Sequence, residues 1–186
     1  MEDDDRALLM RFRGGDATAF TELVVRYQRP IYNAALTILR RPEDASDVTQ
    51  TVFLKIVERG DSYDPQYKLF SWLYRIAVNE SLDLLRRGRR ETALDDDLDI
   101  ADADGRGPDA LLSQAEMSAR IRRSVMSMSV NDRVVLSLRH FSECSYEQMG
   151  EILDLDEKTV KSRLFEARRR LRGVLGDLAP DRHESH

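Results

Sequence analysis

SYEQMGEILDLDEKTVKSRLFEARRRLR, from Ser145 to Arg172, reads as two short helices with a turn between them. Ser145 with Gln148 three residues on forms a capping box, in which each side chain takes up a backbone N–H that the opening turn leaves unpaired. Tyr146, Met149, Ile152 and Leu153 follow at helical spacing. Asp154 and Leu155 make the turn, and Asp156 caps the next helix. In that helix Val160, Leu164, Ala167 and Leu171 fall within about 60° of arc and face inward. Lys158, Ser162, Phe165 and Arg169 are left outward, flanked by Lys161, Glu166 and Arg172. Gly150 stands where the two helices must approach closely. A capped pair whose second member has a cationic outer face is the pattern of a helix-turn-helix that enters the major groove.

Working back from Ser145, residues 109–128 predict a helix with Leu112, Ala115, Ile121, Val125 and Met128 inside. Asn131 is expected to cap another that buries Val134, Val135, Leu138 and Phe141. Before these lies ETALDDDLDIADADGRGP, Glu91 to Pro108, which joins like-charge repulsion to Gly and Pro and has no aromatic residue or period. A linker follows, either a solvated spacer or a segment with a role of its own. The net charge of −5 looks wrong for a nucleic-acid binder, but it is unevenly spread. Residues 1–5 carry −4, residues 6–90 carry +5, residues 91–119 carry −8 and residues 120–186 carry +2. Two mildly basic blocks therefore flank an acidic one. The expected architecture is all-α: a first domain over 1–90, an acidic linker over 91–108 and a second domain with the helix-turn-helix over 109–186.

The first block carries three helical periods. Phe20, Leu23, Val24, Tyr27, Ile31, Ala34 and Ile38 line one face of a long helix ending at Leu39. After Pro42, Ala45, Val48, Val52 and Ile56 mark a second buried stripe, while Asp47, Gln50, Leu54 and Val57 fall opposite it. Two aliphatics on an outer face call for a partner surface or for a neighbouring helix that covers them. The third helix, from about Phe70 to a left-handed stop at Gly88, buries Phe70, Leu73, Ala77 and Leu84 and turns Trp72, Arg75, Asn79, Leu82 and Arg86 the other way. An indole, guanidiniums and an amide on one face suit unpaired bases: rings to stack on, cations for phosphates, an amide for base edges. Five of the thirteen aromatics fall between Tyr63 and Tyr74, which makes this segment the candidate site. Phe70 and Tyr74 point to the core, whereas Trp72 and the loop residues Tyr63 and Tyr67 suit either a core or a binding role. Arg86, Arg87, Arg89 and Arg90 close the block as a candidate phosphate contact.

Composition narrows the classes further. Apolar residues make up 41% of the 186, enough for packed cores, yet no apolar run approaches the roughly 20 residues a bilayer span needs. The opening residues are acidic where a signal peptide is basic, so a cytoplasmic protein without membrane insertion is expected. One cysteine, Cys144, and three scattered histidines, His140, His183 and His186, give no disulfide and no metal-ligand spacing, so neither cofactor nor metal is expected.

EDASDVTQTVFLKI (Glu43 to Ile56), FSWLYRIAVNESLDLLRR (Phe70 to Arg87) and the Ser145 to Arg172 stretch together closely resemble bacterial sigma factors of the extracytoplasmic-function group. That resemblance implies a transcription-initiation factor built of the second and fourth sigma domains, with core RNA polymerase, promoter DNA and an anti-sigma factor as partners. It implies polymerase-clamp docking through Asp44, Asp47, Gln50, Phe53 and the adjacent Leu54. It implies melting of the minus-10 element by the segment from Tyr63 to Asn79, with Ile76 and Asn79 at pocket positions. Minus-35 reading falls to Lys161, Ser162, Arg163 and Phe165, beside the outward Lys158, Glu166 and Arg169. Glu166 departs from the family, where several relatives carry a basic residue. The acidic linker is similar to the family segment that threads towards the polymerase active cleft. Acid at the N-terminus and in the linker is expected to repel DNA from the free chain. Two competing readings are a helix-turn-helix repressor, which leaves Trp72, Asn79, Leu54 and Val57 without a purpose, and an enzyme using Cys144 with His140, which lacks an orienting third group.

Overall fold

A computed structural model describes residues 2–60, 63–92 and 114–177, and within them all regular structure is helical. The helices are α1 (Glu2–Arg13), α2 (Ala17–Leu39), α3 (Pro42–Arg59), α4 (Leu69–Thr92), α5 (Gln114–Met126), α6 (Val130–Leu136), α7 (Tyr146–Leu153) and α8 (Glu157–Asp177). A π-helical turn, Ser137–Phe141, extends α6. No helix among the described residues is long and apolar enough to cross a membrane. Leu112 and most of the expected linker lie outside the described residues.

α2 and α3 form as their periods require. Asp16 caps α2 by accepting from the Thr18 N–H at 3.0 Å. Leu23, Tyr27, Ile31, Ala34 and Ile38 are buried, while Phe20 and Val24 at the edge of the stripe are only half-buried. α2 ends where Arg40 adopts a left-handed φ of 65° and returns its N–H to Leu36 O at 2.8 Å. Pro42 opens α3, whose missing N–H costs nothing in a first turn. Ala45, Val48, Val52 and Ile56 are buried.

The structure corrects one expectation about the first block, the stop at Gly88, and adds to the reading at the N-terminus and at Tyr63. The opening acidic residues begin α1, which buries Leu8 and Leu9 against α2. Asp4 pairs with Arg26 at 2.8 Å, and the buried Asp5 accepts from both Arg26 and the Tyr27 hydroxyl, so their charge is partly spent inside the fold. α4 does not stop at Gly88 but continues to Thr92, and Gly88 lacks the positive φ of a left-handed cap. Flanking arginines are good helix formers and outweigh the penalty of about 1 kcal/mol for a helical glycine. Tyr63 is not a surface ring; it is 7% exposed.

In the second block Ser129, not Asn131, caps α6: its hydroxyl accepts the Asp132 N–H and donates to the Asp132 carboxylate at 2.8 Å. Phe141, expected inside, is 40% exposed, because the π turn shifts it off the stripe of Val134, Val135 and Leu138. The helix-turn-helix forms as read. Both halves of the Ser145–Gln148 capping box are present, Asp154 takes a left-handed φ of 54° as C-cap, and Asp156 accepts the Thr159 N–H at 2.8 Å. A Cβ at Gly150 would lie 2.7 Å from the Leu155 carbonyl oxygen, so the turn is built on the absence of a side chain there.

The two blocks touch. α4 packs on α7, and α2 packs on α6. Arg75 donates Nε to the Glu151 carbonyl at 2.8 Å, with its Nη2 on the same oxygen. Arg40 donates to Met126 O at 2.9 Å, and the 3% exposed Arg133 donates to Met128 O at 2.7 Å and Ile38 O at 2.6 Å. Burial first, then the neighbouring Arg40 charge, pushes the Arg133 guanidinium down to about 10, and its Nε is unpaired. Tyr74, stacked on Phe70 with centroids 4.2 Å apart, is pushed up to about 12 by burial, while a hydrogen bond with Ser142 of the second block acts the other way.

Candidate functional site

Three surfaces hold the predicted residues. The first is a groove of about 740 Å³ between α2 and α3. Phe53, 9% exposed, forms part of its wall together with the half-buried Phe20 and Val24; Gln50, Leu54 and Val57 stand at its rim. Leu54 is 59% exposed and Val57 56%, so no neighbouring helix covers them. Asp47 is exposed on the same helix, and Asp44 pairs with Arg41 at 3.5 Å at its start. Arg29 and Tyr32 of α2 also line it, with Gln28, Ser46 and Thr49. The sequence reading did not include them, although Phe20 and Val24 at the margin of the α2 stripe marked this side.

The second surface follows α4 and the loop before it. Trp72 is half-buried against Tyr63, with ring centroids 5.6 Å apart, and the Tyr63 hydroxyl donates to Tyr67 O at 2.6 Å. Tyr67 is the exposed ring of the group, and the Arg75 guanidinium lies 5.9 Å from its centroid. Asp64, Tyr67, Ser71, Trp72 and Arg75 share a small cavity with Glu151 of α7. Asn79 is exposed, Ile76 half-buried, and Arg86 exposed with a 3.0 Å contact to Asp83. Asn79 also lines a cavity with Leu82, Leu153 and Arg163, so part of the predicted base-binding face meets the other block.

The third surface is the outer side of α8. Val160, Leu164 and Ala167 are buried, and Lys158, Lys161, Ser162, Arg163, Phe165 and Arg169 are exposed, Phe165 at 61%. Lys161 lies 5.2 Å from the centroid of the Tyr146 ring, which Arg139 approaches at 5.1 Å. Glu166 is half-buried, 2.7 Å from Arg169 and 3.7 Å from Arg170. Arg170 in turn clasps the Asp132 carboxylate at 2.9 and 2.6 Å. Burial raises the pKa of Asp132, but the bonds from Arg170 and Ser129 outweigh it and hold the carboxyl below its ordinary value.

Cys144 is a packed side chain: burial pushes its thiol up to about 12, far from the thiolate a nucleophile needs. His140 accepts from Arg168 Nε at 3.2 Å, and burial, then Arg168 and Arg139, lower its pKa.

Residues 23–91 match the family model for sigma-70 region 2, and residues 118–171 match that for sigma-70 region 4. The extracytoplasmic-function (ECF) RNA polymerase sigma factor SigW of Bacillus subtilis is 30% identical over 179 residues, covering 91% of this chain and 96% of that protein. The ECF RNA polymerase sigma-E factor of Escherichia coli K12 is 34% identical over 174 residues, covering 88% and 90%. Among solved structures, CnrH in complex with the cytosolic domain of CnrY superposes with a TM-score of 0.71 at 26% identity, over 95% of this chain and 99% of that one. The sigma factor RpoE of Bartonella quintana, in complex with the anti-sigma factor NepR, gives 0.69 at 23% identity over 84% and 96%, a likeness of fold.

Proposed function

The chain belongs to the extracytoplasmic-function group of the sigma-70 family, and from that premise we propose which surface does what. It binds core RNA polymerase and directs it to specific promoters as a transcription-initiation factor, not an enzyme. The groove between α2 and α3, with Asp44, Asp47, Gln50, Phe53 and Leu54, docks on polymerase. Two large aliphatics left in water beside an apolar groove are a cost unless a partner covers them, and this observation carries the reading. Tyr67, Trp72, Arg75, Ile76, Asn79 and Arg86 engage the melted minus-10 strand, with Tyr63 buttressing Trp72 from behind. Stacking is worth about 1–3 kcal/mol per base and takes effect once bases leave the duplex. Lys158, Lys161, Ser162, Arg163, Phe165 and Arg169 enter the major groove of the minus-35 element, supported by their exposure on a capped helix.

The domains proposed are 1–90 and 109–186, with 91–108 as the acidic segment running towards the polymerase cleft. An anti-sigma factor is a further partner, as NepR is for one of the structural neighbours. The site of action is the cytoplasm, where polymerase and promoters are. The test is to mix the purified chain with core polymerase and randomised promoter DNA and to sequence the transcripts. Enrichment of a two-part motif is expected. A tight, sequence-specific footprint by the chain alone at physiological salt, with no gain from polymerase, would instead make it a repressor.

A further inference from the structure

We infer that Asp132, on α6 and away from the outer face of α8, is a positioning residue for minus-35 reading: by holding Arg170 it leaves the Glu166 carboxylate to Arg169, and so sets how freely the Arg169 guanidinium reaches DNA. This rests on the role proposed for α8. At about 100° per residue, Arg169 stands within about 20° of Ser162 on the outer face, Glu166 about 40° to the other side of it, and Arg170 about 80° round. The three side chains alternate in charge from the flank packed on α6 to the face offered to the major groove.

The ion pairs along this path do not compete equally. Asp132 is buried and fixed at the start of α6, where the Ser129 hydroxyl donates to its Oδ2 at 2.8 Å and accepts its N–H at 3.3 Å. Arg170 places Nε on Oδ2 at 2.9 Å and Nη2 on Oδ1 at 2.6 Å, a two-pronged clasp of the strong charge-assisted kind. Only its Nη1 is turned to Glu166, at 3.7 Å, beyond hydrogen-bond reach. The Arg170 pKa is raised accordingly, by its bonds to Asp132 first and by the Glu166 charge least. The Glu166 oxygen that Nη1 faces is the same Oε2 that Arg169 Nη2 approaches at 2.7 Å. Two guanidiniums thus face one acceptor, and Asp132 decides which of them has it. Without the Asp132 charge, the one carboxylate left within 4 Å of Arg170 among the described residues is Glu166. Arg170 then closes on Oε2, and Arg169 is released outward to a phosphate. Exposed ion pairs are weak enough to exchange in this way.

The experiment is a salt titration of the full chain on core polymerase against duplex DNA randomised over the minus-35 positions. Asp132→Asn keeps the shape of the side chain and removes its charge. It is expected to tighten binding about threefold for all sequences alike, and to steepen the slope of log affinity against log salt by about 0.9, as one more phosphate contact does. Arg170→Gln breaks the same clasp from the other end but leaves Glu166 to Arg169, so it gives no gain. Both variants are expected to lower the melting point, so a clasp that is merely structural would move their DNA binding together. In an Arg169→Gln chain, Asp132→Asn should add nothing. A gain that survives there is the loss of one negative charge acting at a distance, and it overturns the inference. So does an unchanged salt slope for Asp132→Asn, or a gain shared by Arg170→Gln. Failure of the functional reading looks different: wild-type holoenzyme would then select no minus-35 sequence from the library at all.

Discussion

Gly150→Ala places a methyl carbon 2.7 Å from the Leu155 carbonyl oxygen, where ordinary contact begins at 3.4 Å. The turn must therefore give by about 0.7 Å, and it is poorly placed to do so. The Leu155 N–H is bonded to Gly150 O at 3.0 Å, Asp154 is held in a left-handed conformation, and Asp156 is committed to capping α8. Overpacking of this kind costs about 1–3 kcal/mol, and a clash between two backbones belongs at the upper end. Alanine in place of a helical glycine returns about 1 kcal/mol. A net loss of about 2 kcal/mol corresponds to a fall of roughly 10 °C in the melting of a module this small. Gly173→Ala in α8 is the internal control: nothing lies within 4 Å of the added carbon, so only the gain remains and its melting point should rise. Scanning calorimetry of both variants reads the contrast directly. A melting point for Gly150→Ala equal to or above the wild type would refute the claim that this turn is closed by the missing side chain.

Asp47→Ala with Leu54→Ala should weaken polymerase pull-down about tenfold or more, as loss of a central apolar anchor does, with circular dichroism unchanged because both side chains are exposed. Asn79→Ala should depress permanganate-detected strand opening more than initial promoter binding, and a pre-melted template should restore it; Trp72→Ala is a less clean probe because Trp72 also packs on Tyr63. Glu166→Ala frees Arg169 from its 2.7 Å ion pair, so affinity for all minus-35 sequences should rise together and the salt dependence steepen. A selected library that instead lost preference at one position would make Glu166 a base reader. Asp132 is held below its ordinary value of 3.8 in the folded chain, so its stabilisation is present above that pH and is lost as pH falls through the lowered folded value; Asp132→Asn should flatten the acid limb of a pH–stability curve.

What the sequence disclosed was mostly local. Both faces of α3 follow from the 100° step alone, and the exposure of Leu54 and Val57 resolves an alternative that periodicity had left open. The helix-turn-helix caps are short-range hydrogen bonds, and each was visible as Ser145, Gln148 or Asp156. α1 was hidden because four acidic residues draw attention from Leu8 and Leu9, while the arginine that pairs with Asp4 and Asp5 lies 21 residues beyond Asp5. Ser129 and Asn131 are both good cap residues; Ser129 is the one that does so, exchanging hydrogen bonds with Asp132 three residues on. Phe141 moved because a π turn breaks the helical period, which no periodic reading anticipates. Contact between the blocks was not legible at all: the Arg75 and Arg133 bonds run to carbonyl oxygens, and a carbonyl acceptor leaves no mark on residue identity.

The passage of α4 through Gly88 to Thr92 turns the helix into a splined shaft. Twenty residues separate Trp72 from Thr92, which at about 1.5 Å each carries the start of the acidic segment roughly 30 Å along the axis from the indole. Axial travel and rotation are geared together on such a shaft. Removing one residue beyond Ser81 shortens it by only about 1.5 Å but swings the exit by about 100°, aiming the acidic segment at a different quadrant, whereas removing a block of seven shortens it by about 10 Å and restores the heading to within about 20°. Where that segment goes on polymerase is thus set by the number of residues in α4 as much as by their identity.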